Sequence, residues 1–194
     1  MTGPVPVQRL SPNAAAAFAA HLRALDPEDV RLRFGVPQTH ASIDAYVARI
    51  DFDADVLFGV HGDELELDGA AHLAFASDFA ELGVSVRGGA RGRGIGSALV
   101  ARAAEHARNR AMTRLYMHCL AENAAMIRIA RRAGMVVVIE AGDADAHVAL
   151  APATPMSLTS EMLADRVALF DYALRSNVEA LRRMGTAFAG AKRS

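Results

Sequence analysis

The fold of this chain is decided by the stretch LGVSVRGGARGRGIGS, residues 82–97. Its first five residues are rich in apolar and β-branched side chains and predict a strand. Glycines follow, and a helix is predicted from residue 95 to about residue 110. At such a strand-to-helix turn, free backbone amides and the positive end of the helix dipole converge. We therefore expect residues 91–97 to bind a phosphate group, with Arg91 and Arg93 adding charged donors.

Two other interpretations of the glycine loop compete with a phosphate site. A structural turn without a ligand also uses glycines, because they adopt backbone conformations that other residues avoid. A dinucleotide-binding turn needs a further glycine at position 97, where this chain has Ser97, and it opens a β-α-β unit. Helices and antiparallel strands are predicted before the loop, which argues against a dinucleotide-binding fold.

Strands and helices are predicted on both sides of the loop. The predicted strands are residues 4–10, 55–60, 69–76, 82–86, 114–119, 135–140 and 146–150, and the predicted helices begin at Ser11-Pro12 and Asp26-Pro27 and cover 41–50, 95–110 and 122–132. Serine or aspartate before proline is typical of a helix start, because the side chain caps free amides and proline fits the first turn. This order of elements predicts a mixed α/β (α+β) fold with a mixed sheet.

The C-terminal part of the chain differs from the rest. A proline- and alanine-rich break at residues 151–155 is followed by apolar residues at spacings of four and three. These apolar residues are Leu163, Val167, Phe170, Leu174, Val178 and Leu181. The spacing predicts a long amphipathic helix that packs on the core or mediates homodimerisation. We therefore divide the chain into a domain at residues 1–150 and a helical extension with a polar tail at 151–194.

The composition excludes several classes of protein. A chain of 194 residues with a formal net charge of -1 predicts one core and excludes a generally basic binder of nucleic acid or anionic membranes. The single cysteine, Cys119, excludes a disulfide framework and a thiolate-rich zinc site, as is typical of a reducing cytosol. The histidines lack ligand spacing, and no apolar run approaches the roughly 18 residues of a membrane span. We expect a cytoplasmic protein without a metal, nucleic-acid or membrane partner.

The charges are divided along the chain. Residues 44–81 contain ten acids and one arginine, Arg49, whereas residues 87–132 contain many arginines and only two acids, Glu105 and Glu122. Solvated faces of amphipathic elements would explain each half by itself. The position of the arginine-rich half around the glycine loop favours an anion site. The acidic loops at residues 51–68 would suit a cationic amine.

The glycine loop resembles the acyl-CoA-binding loop of the GNAT superfamily of N-acetyltransferases, whose pattern is Arg/Gln-x-x-Gly-x-Gly/Ala. Arg91, Gly94 and Gly96 match this pattern. The order of elements over residues 5–150 also resembles the GNAT acyl-CoA N-acyltransferase fold. Residues 27–34, 80–82 and 123–126 are similar to the catalytic domains of bacterial protein-lysine acetyltransferases of the Pat type. The regulatory domains often fused to those enzymes are absent from this sequence.

The resemblance implies a binding site for acetyl-CoA as the cosubstrate. Residues 84–86 would diverge from the neighbouring strand and bind the pantetheine arm, residues 91–97 would hold the pyrophosphate, and Asn123 would hydrogen-bond the pantetheine. The implied cofactor-binding residues are Val84, Ser85, Val86, Arg91, Gly92, Arg93, Gly94, Ile95, Gly96, Ser97 and Asn123. Taken alone, Asn123 is equally typical of a helix cap. Arg128, Arg131 and Arg132 would either reach the nucleotide phosphate or be solvated.

Acetyl transfer to an amine needs a base, because only a neutral amine attacks the thioester. The resemblance to Pat-type enzymes implies that Glu81 is this base and acts through one water. Asp78 and His72 are the alternatives.

The leaving-group acid of the superfamily is missing from the sequence. The position after Asn123 that often holds tyrosine is occupied by Ala130. A thiol has an unperturbed pKa of about 8.5, so the CoA thiolate can leave with help from solvent alone. Tyr116, His118 and Cys119 are the remaining candidates for an acid, and Cys119 is more typical of a small core residue than of a nucleophile.

These observations predict an N-acetyltransferase that transfers an acetyl group to a primary amine by direct attack in a ternary complex. The amine is either a protein lysine or a small molecule. A non-catalytic module that binds or senses acyl-CoA is the alternative, favoured by Ala130. A third interpretation takes the long C-terminal helix as an assembly device.

Overall fold

A computed structural model describes residues 4–191, and side chains are described as far as residue 177. The strands are β1 Gln8–Leu10, β2 Val56–His61, β3 Leu67–Phe75, β4 Phe79–Val86, β5 Arg114–Leu120, β6 Val136–Glu140 and β7 Asp143–Ala149. The α-helices are α1 Ala15–Arg23, α2 Pro27–Phe34, α3 His40–Ala48, α4 Ile95–Asn109, α5 Ala124–Arg132 and α6 Pro155–Ala191. The predicted elements are therefore present, with shifted starts in three strands. Strands β4 and β7 each begin three residues before the predicted start, and β1 begins at Gln8, four residues after it.

The seven strands form one sheet in the order β1-β2-β3-β4-β5-β7-β6. Neighbouring strands are antiparallel except β4 and β5, which are parallel. This mixed sheet, together with the C-terminal helix, confirms the predicted fold class.

The side chains of β4 alternate between the two faces of the sheet, as the two-residue period of a strand requires. Leu82 and Val84 pack in a cluster with Ile95 and Leu99 of α4. A second cluster on the other face joins residues of α1 and α3 to β2 and β3. The helices are therefore divided into two layers, and β4 lies between them.

Pairing between β4 and β5 stops after three residues. Phe79–Glu81 pair with Arg114–Tyr116, and beyond them β4 stays hydrogen-bonded to β3 while β5 stays bonded to β7. The two parallel strands therefore form a fork that opens after Glu81. Among the strands formed by residues 4–191, none pairs with this edge of residues 82–86, as the resemblance implied for residues 84–86.

The apolar stripe of α6 bears on the two alternatives predicted for this helix, packing on the core or homodimerisation. Leu163, Val167, Phe170 and Leu174 have exposed side chains, with Phe170 at 67%, so the stripe does not pack on the core, and homodimerisation stays a prediction. The helix instead buries Ser157 and Ala168. The predicted positions Val178 and Leu181 lie outside the described side chains.

The polar surface of α4 explains this orientation. Arg102 and His106 of α4 are buried, and both contact Glu161 of α6. Asp165 also forms an ion pair with Arg102. Since buried charges must be paired, the helix turns its acids toward α4 and leaves its apolar stripe facing outward.

Candidate functional site

A cavity of about 460 Å³ lies beside the unpaired end of β4. The glycine loop and the start of α4 form one wall, α2 forms another, and Asn123 and α5 form a third. From the predicted cofactor set, the lining contains Val84, Ser85, Val86, Arg91, Gly92, Gly94, Ile95, Gly96, Ser97 and Asn123. The sequence therefore predicted a set of residues that the fold brings together, with Arg93 as the exception.

The glycine loop exposes backbone amides at the N-terminus of α4. Gly92 and Gly94 have φ angles of 77° and 82°, in the left-handed region that favours glycine, and Gly94 is the N-cap residue of the helix. Within the described part of the chain, no side chain caps this helix. The first amides of α4 are therefore available to an anionic ligand.

The two arginines of the loop point in different directions. Arg91 lines the cavity and forms an ion pair with Asp29 of α2. Arg93 points away from the cavity, and its Nη1 lies 2.9 Å from Oδ2 of Asp68. The structure therefore gives no support to the prediction that Arg93 faces the same anion as Arg91, because the nearby carboxylate on β3 holds its guanidinium.

Ser85 links the cavity wall to the helices behind the sheet. Its hydroxyl lies 2.9 Å from Nε2 of buried His21, whose Nδ1 lies 2.7 Å from the carbonyl oxygen of Leu67. A carbonyl only accepts, so Nδ1 carries the proton and Nε2 accepts the Ser85 hydroxyl. Burial lowers the pKa of His21 to about 4, so the imidazole is neutral at physiological pH.

Asn123 caps α5 and also lines the cavity. Its Oδ1 accepts a hydrogen bond from the Met126 amide at 3.1 Å. The cap interpretation is therefore confirmed by the geometry. The side-chain NH₂ group is a separate donor, so capping leaves Asn123 able to bind a ligand carbonyl.

Glu81 lies outside the main cavity. It is exposed and lines a second cavity of about 410 Å³ together with Phe79, Tyr116 and His118. Among the side chains of residues 4–177, Glu81 has no hydrogen-bond or ion-pair partner. It occupies the last paired position before the fork, so its carboxylate stands at the point where the two strands separate.

The two alternative bases are engaged elsewhere. Asp78 lies 3.0 Å from Arg114, and this guanidinium lowers the pKa of the carboxyl group. His72 is hydrogen-bonded on both ring nitrogens, to Tyr46 and to Asp55. Glu81 is therefore the candidate with free lone pairs.

The four positions considered for the leaving-group acid are divided between the two faces of the sheet. Ala130 is buried in the core and carries no proton to donate. Cys119 is also buried, packed against Ile127, and burial raises the pKa of its thiol. Tyr116 and His118 share the second cavity with Glu81. Only these two candidates lie near the proposed base.

The acidic stretch at residues 51–68 does not form the wall of the second cavity. Its later members pair with arginines: Asp63 with Arg175, Glu66 with Arg87 and Asp68 with Arg93. Asp55 is bonded to His72. The charge division along the sequence therefore reflects ion pairs within the fold in large part, and this placement gives no support to an amine site on these loops.

The sequence assigned no role to α2, which forms a wall of the main cavity. Asp29, Leu32 and Arg33 all line it. Asp29 is held close to the loop by Arg91, and its Oδ2 is buried without a hydrogen-bond partner among the described residues. The resemblance of residues 27–34 to Pat-type domains was the available signal, but it did not place these side chains at the loop, because the contact joins segments about sixty positions apart in the sequence.

Comparison with known protein families identifies the family to which this arrangement belongs. The sequence profile of the acetyltransferase (GNAT) domain matches residues 7–136, which is well over half of the chain. The chain belongs to the GNAT acetyltransferase family. This GNAT domain is thus a member of a family of transferases that use acyl-CoA, and the matched region includes the fork and the glycine loop.

Solved structures support the same fold. The GNAT domain of S. lividans Pat is 21% identical, with a TM-score of 0.64 over 74% of this chain and 89% of that one. A ribosomal-protein-alanine N-acetyltransferase from Brucella melitensis is 20% identical, with a TM-score of 0.56 over 74% and 99%. An N-acetyltransferase from Staphylococcus aureus Mu50 is 17% identical, with a TM-score of 0.57 over 75% and 98%. No protein of curated function matches the sequence significantly.

Two further observations concern the part of the chain that the structure describes. No helix there has both the length and the apolar character needed to cross a membrane. No group of three or more histidine, cysteine or acidic side chains is placed to hold a metal ion within the same residues.

Proposed function

We propose that this GNAT domain is an acetyl-CoA-dependent N-acetyltransferase that acts on a primary amine by direct attack in a ternary complex. One observation carries the proposal: the fork between β4 and β5 opens onto a cavity whose rim is the uncapped N-terminus of α4. An unpaired strand edge and a helix N-terminus are the complements of an amide-containing arm and a phosphate group.

Bound acetyl-CoA would supply the activated acetyl thioester. The unpaired edge of residues 82–86 would hydrogen-bond the amides of the pantetheine arm, and residues 91–97 would hold the pyrophosphate. The missing side chain at Gly96 lets the start of α4 pack closely against Ile129 of α5, because a Cβ atom there would lie 2.7 Å from Cδ1 of Ile129. Asn123 would donate its NH₂ group to a carbonyl of the arm. Arg128 and Arg132 also line the cavity and would meet the nucleotide end.

Glu81 is proposed as the base. Its carboxylate has free lone pairs, stands at the start of the fork and would take the proton of the amine through one water. The CoA thiolate would leave with help from solvent, or with a proton from Tyr116 or His118 across the second cavity.

The amine is proposed to be either a protein lysine or a small molecule. The short segments that resemble Pat-type enzymes support a lysine, whereas the open second cavity also admits a small amine.

We further propose that residues 1–150 form the transferase domain and residues 151–194 the extension. The exposed apolar stripe of α6 would form the interface of a homodimer. Measuring the molecular mass of the full chain in solution tests this.

Release of CoA thiol with acetyl-CoA and a panel of amines tests the transferase. Glu81→Gln should lower kcat by about 10²-fold or more while leaving acetyl-CoA affinity in calorimetry unchanged. Glu140→Gln, at an exposed position on edge strand β6, is the matched control and should turn over normally. Turnover of Glu81→Gln undiminished across the pH range would exclude this residue as the base.

A non-catalytic acyl-CoA-binding module is the second candidate. It is favoured by Ala130 in the tyrosine position and by the location of Glu81 outside the main cavity. Calorimetric binding of acetyl-CoA without thiol release from any amine would support it. Absence of both binding and release would contradict both candidates.

A further inference from the structure

Arg33 of α2 occupies an unusual place in the main cavity. It is partly buried, and its guanidinium lies directly against Gly83 of β4, in the space that a Cβ atom at position 83 would fill. Gly83 lies two positions beyond Glu81 on the same face of the strand. Glycine is therefore required at this position for the guanidinium to approach the reacting end of the fork.

A chain of hydrogen bonds holds Arg33 in position. Asp55 accepts from Nε2 of His72 at 3.1 Å, so Nδ1 of His72 accepts the Tyr46 hydroxyl at 2.6 Å. The Tyr46 oxygen in turn accepts from Nη2 of Arg33 at 3.3 Å. Each donor in this series of hydrogen bonds has one acceptor, so a lone pair of the Tyr46 oxygen is directed toward the guanidinium.

This series of hydrogen bonds uses one donor of Arg33, and the other donors have no hydrogen-bond acceptor among the described residues. A guanidinium has five N–H donors, and none of the described carboxylates forms an ion pair with this one. Its neighbours differ: Arg91 is paired with Asp29, and Arg31 with Glu28 and Glu122. A partly buried cation without a counter-charge is unfavourable, and the planar fork of arginine is best satisfied by a carboxylate or phosphate.

The position along β4 separates this cation from the pyrophosphate site. Gly83 precedes Val86, the last residue before the loop, by about 10 Å at roughly 3.3 Å per residue. Glu81 lies about 7 Å away in the opposite direction by the same measure. By this backbone measure Arg33 lies closer to Glu81 than to the loop, although it shares one cavity with Arg91, so we expect its anion at the reacting end of the ligands.

We propose that Arg33 binds a carboxylate carried by one of the two substrates. The carboxylate is either next to the amino group of the acceptor, as in an amino acid, or at the tip of the acyl chain, as in a dicarboxylic acyl-CoA. The spacing of about 7 Å between positions 81 and 83 admits a carboxylate on Arg33 together with an amine that reaches Glu81 through one water. This inference rests on the proposed acyl transfer and names its substrate class.

A matched substrate panel tests the proposal and separates the two sources. Leucine is compared with leucinamide as the acceptor of an acetyl group. Succinyl-CoA is compared with butyryl-CoA as the acyl donor to an amine that carries no carboxylate. One pair should show a preference of about ten-fold or more in kcat/KM for its carboxylate member, as expected for a charge-assisted hydrogen bond. The pair that shows it identifies the source.

Three variants connect that preference to the guanidinium. Arg33→Gln should abolish it, and Arg33→Lys should keep part of it as a point charge. Gly83→Ala should reduce it by displacing the guanidinium. Arg23→Gln, which removes an exposed arginine of α1 that pairs with Asp44, is the control and should keep the wild-type ratio. The ratio within each variant is insensitive to partial loss of folded protein.

The outcomes distinguish this inference from the proposed function. Turnover of acetyl-CoA with equal rates for both members of each pair, or with ratios unchanged in Arg33→Gln, would overturn the carboxylate site and leave the transferase standing. If no pair turns over, calorimetry decides between the outcomes. The site is supported if succinyl-CoA binds more tightly than butyryl-CoA, or leucine more tightly than leucinamide with CoA present, and if Arg33→Gln removes that difference in affinity. Equal affinities would refute it.

Discussion

The buried imidazole of His21 predicts a specific loss of stability at mildly acidic pH. It lies behind the cavity wall, 3% exposed, and holds the carbonyl of Leu67 and the hydroxyl of Ser85. Burial lowers its pKa from 6.5 to about 4, with the cations of Arg87 and Arg33 adding to the effect. Protonation is therefore more favourable in the unfolded chain than in the folded one.

The sign and size follow from linkage. Between pH 6.5 and about 4 the unfolded state binds one more proton at this site, so stability is complete above 6.5 and falls as the pH is lowered toward 4. A difference of one pKa unit corresponds to about 1.4 kcal/mol, which gives about 3 kcal/mol in total. Lowering the pH from 7 to 5 should therefore cost about 2 kcal/mol through His21 alone.

Urea unfolding followed by circular dichroism at pH 7 and pH 5 measures this contribution. Wild-type protein is compared with His21→Gln, which cannot be protonated, so that titration of all other groups cancels in the difference. The variant is expected to start less stable at pH 7 and to lose about 2 kcal/mol less on acidification. The reasoning would be refuted if both proteins lost the same stability between the two pH values.

Three further predictions follow from individual contacts. A Cβ at Gly96 would lie 2.7 Å from Cδ1 of Ile129, so Gly96→Ala should lower the free energy of unfolding, measured with urea, by about 1 kcal/mol. Adding Ile129→Val to this variant removes the Cδ1 atom and should restore the lost stability. Glu161→Gln should cost about 3 kcal/mol in the same assay, because buried Arg102 and His106 both lose this carboxylate and Arg102 keeps Asp165 and, at 3.8 Å, Glu105. An unchanged midpoint would contradict it. Burial raises the pKa of the Cys119 thiol, so alkylation at pH 8 should be much slower in the folded than in the denatured protein, and Cys119→Ala should retain turnover.

The local signals in the sequence were sufficient for the elements and for most of the residues that line the main cavity. A strand, a glycine loop and a helix in immediate succession place residues 84–97 along one edge and one helix end, whatever the rest of the chain does. The match of Arg91, Gly94 and Gly96 to a family pattern works for the same reason. These residues are neighbours in the chain, and their relative positions are set by backbone geometry.

The direction of individual side chains was less predictable. Arg93 belongs to the same loop as Arg91 but turns toward Asp68, because strand β3 brings that carboxylate to the loop. The stripe of α6 that includes Phe170 has the spacing of a buried face and is nevertheless exposed. Periodicity identifies a helix with two different faces, but the surface opposite decides which face is covered.

By itself, then, the sequence determined the order of elements, the glycine loop at the start of a helix and the mixed α/β class of the fold. Only the tertiary structure decided that β4 and β5 separate after Glu81, that Arg33 reaches across to Gly83, and that His21 supports Ser85 from behind. Each of these contacts joins residues tens of positions apart. Their meeting depends on strand order and register, which follow from the packing of the whole core and not from any short stretch of the chain.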